Sequence, residues 1–212
     1  MSSNLIQRIV SSLFLILISF YIIINGSTFF NIFLIIVFFI SIFEWYKMSF
    51  KKLYFYPGIF FLFFSFYTVF LMRSNDSYLL NFFIIFFICI FTDIGGYFFG
   101  KLFKGPKLSK ISPNKTYSGV LGSFIFSAFF TFYLIYFLNY FFDNQIHFDY
   151  KILINICIIS LVSQIGDLIV SLFKRLANKK DTGNIIPGHG GLLDRIDGMI
   201  FALPFSYWLN LI

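Results

Sequence analysis

The chain has 212 residues, 59% hydrophobic and only 12% charged, with apolar positions running in blocks of roughly 15 to 25. Such blocks exclude a water-soluble globule, a disordered chain and a porin-like barrel, and leave an all-α polytopic bundle of membrane-spanning helices. A net charge of +7 confined to the short gaps between blocks points to phosphate in lipid headgroups or nucleotides rather than to nucleic acid.

About seven spans are expected, at 6–24, 29–46, 53–72, 78–100, 117–142, 152–173 and 198–212. The first opens on Arg8 like a signal peptide, but no small-residue cleavage site follows and a second apolar block begins within a few residues, so it reads as a retained helix. With a cytoplasmic N-terminus, the inner side collects all of the 16 basic residues except Arg73 and Lys151. The outer gaps at 25–28, 73–77 and 143–151 are brief, whereas the inner loops 101–116 and 174–197 carry Gly, Pro, Lys and Asp. Chemistry is therefore expected on the cytoplasmic face of the inner membrane. Residues 1–76 read as less specific N-terminal helices and 77–212 as the catalytic region. Cys89 and Cys157 fall inside apolar blocks and read as buried thiols, not as a disulfide or a metal pair.

Of nine acidic residues, Glu44, Asp93 and Asp167 lie within expected spans. An ionised carboxylate in hydrocarbon costs at least about 2.5 kcal/mol, so each must face a wet cavity or a cation. Asp93 and Asp167 each stand about two helical turns before the first lysine of an inner loop, Lys101 and Lys174, and so share a depth about 10 Å below that surface. Gln164, Asp167, Ser171 and Lys174, spaced three, four and three apart, form a polar stripe on one helix face. Asp93, Gly96, Tyr97 and Gly100 repeat the spacing with small residues that suit a close ligand or close helix packing. Glu44, beside Trp45 and Tyr46 near the end of its span, fits an interfacial anchor and a functional acid equally well.

The loop 174–197 gathers Lys174, Arg175, Lys179, Lys180 and Arg195 with Asp181, Asp194 and Asp197, and holds Gly183, Pro187, Gly188, Gly190 and Gly191 around His189. Glycines free backbone N–H groups to face an anion, the cations neutralise phosphate oxygens, and Asp194 and Asp197, one helical turn apart, suit a hard divalent cation. With Asp167 at its mouth, the loop reads as a phosphate-and-metal site. In the other inner loop Ser112 and Lys115 directly precede a span, where a helix N-terminus favours an anion.

These residues resemble a known family. The run Ser171-x-x-Lys174-Arg175-x-x-x-x-Lys180-Asp181-x-Gly183, continuing through Pro187-x-His189-Gly190-Gly191-x-x-Asp194-Arg195-x-Asp197, closely resembles the C-terminal pattern of phosphatidate cytidylyltransferases, the CDP-diacylglycerol synthases. Gln164-x-Gly166-Asp167-Leu168, Asp93-x-Gly95-Gly96-Tyr97 and Ser112-Pro113-x-Lys115-Thr116 agree as well, so the likeness runs from about residue 90 to the end. It implies Mg²⁺-dependent transfer of a cytidylyl group from CTP to phosphatidate in phospholipid biosynthesis, giving CDP-diacylglycerol and pyrophosphate, by a homodimer with room for a second cation. It implies Asp167 and Asp194 as metal ligands, and Asp197 as a further ligand or an acid behind them. Lys115, Lys174, Arg175 and Lys180 become phosphate-binding cations, and Ser112, His189, Arg195 and Asp93 complete the substrate set. Two positions depart from the pattern. Tyr117-Ser118-Gly119 stands where the family usually has a Glu after the Lys-Thr pair, and Gly198 follows Asp197 where a Ser is common.

A CTP-dependent polyprenol kinase shares spans, Mg²⁺ and basic loops and stays open at this point. A CDP-alcohol phosphotransferase does not, because no Asp-Gly-x-x-Ala-Arg run is present. A transporter would spread polar residues deep along several helices, whereas here they crowd one surface.

Overall fold

The computed structural model describes residues 21–22, 27–109, 111–142, 146, 149–186 and 190–211. Five long helices follow one another: α1 (Ser27–Ser49), α2 (Phe55–Ser74), α3 (Asp76–Phe103), α4 (Tyr117–Phe142) and α5 (Tyr150–Leu176). A single turn, α6 (Leu193–Ile196), and a short helix, α7 (Met199–Trp208), complete the order. Among the described residues there is no strand beyond the isolated bridges Lys107–Thr116 and Ile186–Gly190. All five long helices are apolar enough to cross a bilayer, and the shortest, at 20 residues, is about 30 Å long, the thickness of the hydrocarbon core. The chain is thus a multi-pass helical membrane protein. Its outer surface presents Phe29, Ile36, Phe60, Phe129 and Tyr140, as a lipid-facing wall requires.

The expected first span, 6–24, lies almost wholly outside the described residues. The expected last span, 198–212, is represented by α7, whose ten residues reach about 15 Å, half the core thickness. It stops because Asn210 turns left-handed (φ 47°) and the Leu211 N–H returns to the Ser206 carbonyl at 3.1 Å. Pro204 inside it removes one further helical hydrogen bond.

α3 and α4 pack backbone to backbone. A Cβ on Gly95 would lie 2.7 Å from the Gly122 carbonyl oxygen, and one on Gly119 would lie 2.8 Å from that of Gly96. Neither position admits a side chain, so the small residues around Asp93 serve helix packing. Buried hydroxyls join α5 to this pair: Thr92 Oγ1 donates to Ser160 Oγ at 2.8 Å and Ser123 Oγ donates to the Thr92 carbonyl at 2.8 Å. Gln164 of the expected polar stripe turns to Ser160 Oγ at 3.3 Å. Cys89 and Cys157 are both free thiols.

Two apolar clusters fill the bundle. One gathers Met72, Phe82, Ile85, Ile88, Ile156 and Leu203. The other, beside the loops, joins Trp45, Leu62, Phe66, Val170, Leu193 and Ile200. Next to the second, an apolar cavity of about 210 Å³ is lined by residues including Trp45, Tyr54, Phe61, Phe173 and Leu193 and has no charged residue in its wall. The polar chemistry lies on the other side of Leu193.

Candidate functional site

α5 supplies the first group of polar side chains. Ser171 Oγ donates to Asp167 Oδ1 at 3.3 Å, one turn along the same face. Three residues on, Lys174 turns inward and donates to Asp194 Oδ1 at 2.7 Å, in an ion pair whose side chains are only 10% and 4% exposed. The helix ends where Asn178 takes a left-handed conformation (φ 54°). Arg175 turns outward, its Nε donating to the Ile111 carbonyl at 3.2 Å and a terminal nitrogen to the Lys179 carbonyl at 3.0 Å, which ties the loop before α4 to the loop after α5.

The loop before α4 brings the second group. The Leu108 N–H bonds the Lys115 carbonyl at 2.8 Å, and the Lys115 N–H bonds that of Ser112 at 3.1 Å. Thr116 Oγ1 then caps α4 by accepting the Gly119 N–H at 3.1 Å. Ser118, one of the positions that depart from the resemblance, donates to the Lys104 carbonyl and so closes the loop. This frame carries Lys115 Nζ to 2.5 Å from Asp167 Oδ2, with both side chains 26% exposed. Asp93 of α3 is exposed and stands within electrostatic reach of Asp167, Lys115 and Arg195. Asp93 and Asp167 thus stand close enough to feel each other's charge, and Lys115 pairs with Asp167 beside them.

The glycine loop is held by two buried carboxylates. Asp194 Oδ2 accepts the N–H groups of Thr182 at 2.9 Å and Gly191 at 3.0 Å. Glu44, 1% exposed on α1, accepts the N–H of Leu192 at 2.9 Å on Oε1 and that of Leu193 at 2.8 Å on Oε2. Between the two acids stands the Thr182 hydroxyl, 2.8 Å from Glu44 Oε2 and 3.1 Å from Asp194 Oδ2. Lys179 Nζ adds a bond to the Lys47 carbonyl at 2.8 Å. Sequence reasoning named Glu44 without a role and passed over Thr182.

Asp197 is buried and bonds the Gly198 N–H at 3.0 Å. Burial, with Asp167, Asp93 and Asp194 nearby, pushes its carboxyl well above the usual range, and Lys174 only partly offsets this. The site therefore has two layers. Lys174, Asp194, Thr182 and Glu44 are buried and brace the loop, whereas Lys115, Asp167, Asp93 and Arg195 face the outside. Lys180 is exposed and Ser112 half-buried, and His189 lies outside the described residues.

Among the described residues, no three His, Cys, Asp or Glu side chains converge as a ready metal cage. The donor chemistry still fits a hard divalent cation. A carboxylate offers about four lone-pair positions. Asp167 accepts one bond at each oxygen and Asp194 Oδ1 accepts only one, so both keep acceptor capacity.

Residues 54–212 match the cytidylyltransferase family. The chain is 36% identical to a phosphatidate cytidylyltransferase of Rickettsia bellii over 218 residues, covering 98% of this chain and 91% of the relative. It is 35% identical to the protein of that name from Rickettsia felis, covering 99% and 93%. The likeness to the protein of that name from Bacillus subtilis is 39% over 142 residues, 65% of this chain and 50% of the relative.

Proposed function

Because the chain belongs to the cytidylyltransferase family, we propose a division of labour among its residues in which the exposed layer binds the reacting phosphates and the buried layer holds the loop in place. The activity is transfer of the cytidylyl group of CTP to phosphatidate, giving CDP-diacylglycerol and pyrophosphate, a step of phospholipid biosynthesis.

A phosphate oxygen of phosphatidate attacks the α-phosphorus of CTP, and the bond to the bridging oxygen of pyrophosphate breaks. A phosphate monoester carries nearly two negative charges at neutral pH, so no protein nucleophile is required and the barrier is the repulsion between two polyanions. The observation that carries the reading is the convergence of Lys115, Asp167, Asp93 and Arg195 from four separate segments at one exposed level. Lys115 and Arg195 offset phosphate charge there, with Lys180 and the loop residues Ser112 and His189 adding contacts to the triphosphate. Arg175 and Lys174 stand behind them, one tying the loops and one fixing Asp194.

Asp167 and Asp194 would hold Mg²⁺, with Asp197 and Asp93 beside them and room for a second cation. What Mg²⁺ supplies when bound is neutralisation of charge on the transferring phosphoryl group and on pyrophosphate. The spare acceptor positions on Asp167 and on Asp194 Oδ1 support this assignment. We place the site on the cytoplasmic side of the inner membrane, where CTP is available, with residues 77–212 as the catalytic region, residues 1–76 as the N-terminal helices and two copies forming a dimer.

The test is direct. Purified protein with CTP labelled in its α-phosphate, phosphatidate and Mg²⁺ yields labelled CDP-diacylglycerol, and omission of the metal abolishes it. Label passing from the γ-phosphate of CTP to a prenol, with none of the α-label in lipid, would overturn the assignment.

A further inference from the structure

Glu44 is the buried acid that the transfer reaction leaves without a task. It lies on α1, ahead of the residues 54–212 that match the family, yet its carboxylate meets the loop some 140 residues further on. Three donors converge on it: the Thr182 hydroxyl and the Leu192 and Leu193 N–H groups. Among the described residues it forms no ion pair, so these donors are what holds a charge that is only 1% exposed. The fit is close. A Cβ on Gly183 would lie 2.5 Å from Glu44 Oε1, and one on Gly191 would lie 2.6 Å from Oε2, so both glycines let the backbone lie flat on the carboxylate.

The loop segment that Glu44 grips carries Asp194 directly after Leu193, and Asp194 in turn fixes Lys174. We infer that Glu44 is a positioning residue for cytidylyl transfer: it fastens the glycine loop to α1 and thereby sets Asp194 and Lys174 relative to Asp167. This rests on the activity assigned above. Glu44 touches no group of the exposed layer in which the lipid phosphate is placed, so its loss acts on turnover and not on phosphatidate affinity.

Glu44→Gln keeps the size of the side chain but replaces one acceptor oxygen by a donor, which must then face at least one of the three donors. In detergent-solubilised full-length protein, hydrogen–deuterium exchange at the Gly191–Leu193 amides rises at least tenfold, kcat falls at least tenfold, and the KM for phosphatidate stays within twofold. Gly183→Ala presses on Glu44 from the loop side and gives the same signature, which keeps the inference open to test if Glu44→Gln does not accumulate. Ser41→Ala removes a hydroxyl that bonds the Val37 carbonyl within α1, and leaves exchange at the loop and kcat unchanged. Faster exchange with unchanged kcat would overturn the positioning role, and unchanged exchange would overturn the anchor itself. A wild-type protein that transfers no cytidylyl group would sink the activity assignment instead, and the exchange measurement would still decide the anchor.

Discussion

Lys115 and Asp167 meet at 2.5 Å although they belong to segments separated by the whole of α4. The pair closes the outer layer of the site, and its partial exposure leaves both groups within reach of a ligand.

Lys115→Ala removes the cation facing Asp167 and is expected to raise the KM for CTP or for phosphatidate at least tenfold while the protein remains inserted. Steady-state kinetics with each substrate varied in turn will measure this. Wild-type KM values for both would show that Lys115 takes no part in binding either substrate.

Asp167→Asn keeps shape and removes charge. We expect turnover to fall at least 100-fold with an unfolding temperature within a few degrees of wild type, because the side chain is partly exposed and braces little. Mg²⁺ titration of the residual activity should show a weakened requirement curve. Unaltered turnover would refute the ligand assignment.

Asp194→Asn is different in kind. The side chain is 4% exposed and receives Lys174, the Thr182 and Gly191 N–H groups and a share of the Thr182 hydroxyl. Its substitution strands a buried ammonium and turns an amide donor toward other donors, at a cost of about 3 kcal/mol. Both turnover and thermal stability in detergent should drop, whereas Asp167→Asn lowers turnover alone. Full retention of stability would show that the loop does not depend on Asp194.

Asp197 supplies a pH test. Its carboxyl is raised in the folded protein, so the folded state binds that proton more tightly than the unfolded chain does. This contribution is fully present below the unfolded value of about 4 and is lost as pH climbs toward the folded value. Asp197→Asn therefore gains stability relative to wild type as pH is raised from about 4 to neutrality. Thermal unfolding across that range reads the difference, and parallel profiles for the two proteins would contradict it.

Gly95→Leu should separate α3 from α4, since even a Cβ there reaches the Gly122 carbonyl. A loss of about 1–3 kcal/mol is expected from overpacking, measured by thermal unfolding. Loss of turnover should accompany it, because Asp93 is two residues away.

Hydropathy made the long spans legible because lipid selects apolar blocks, but it reads the hydrocarbon and not the helix. α3 runs on to Phe103 and α5 to Leu176, beyond the expected limits of 100 and 173, because backbone hydrogen bonding continues until a residue such as Asn178 breaks it. The stripe Gln164, Asp167, Ser171 and Lys174 was visible as a spacing, but its uses were not. Gln164 bonds a neighbouring hydroxyl, Asp167 belongs to the exposed layer, Ser171 is buried and donates to Asp167, and Lys174 is buried against Asp194. Glu44 was harder still. Lys47, one turn away, is not its partner: Lys47 Nζ sits 4.2 Å from the centre of the Phe43 ring, and Glu44 is satisfied by the Thr182 hydroxyl and by backbone from the far end of the chain. Backbone donors leave no mark in a sequence.

The Thr182 hydroxyl has a single hydrogen and two acidic neighbours, so it can satisfy only one of them at any instant. Pointed at Glu44 it fastens the loop to α1, and pointed at Asp194 it fastens the loop to itself, so the choice between the two tethers turns on a rotation about one carbon–oxygen bond.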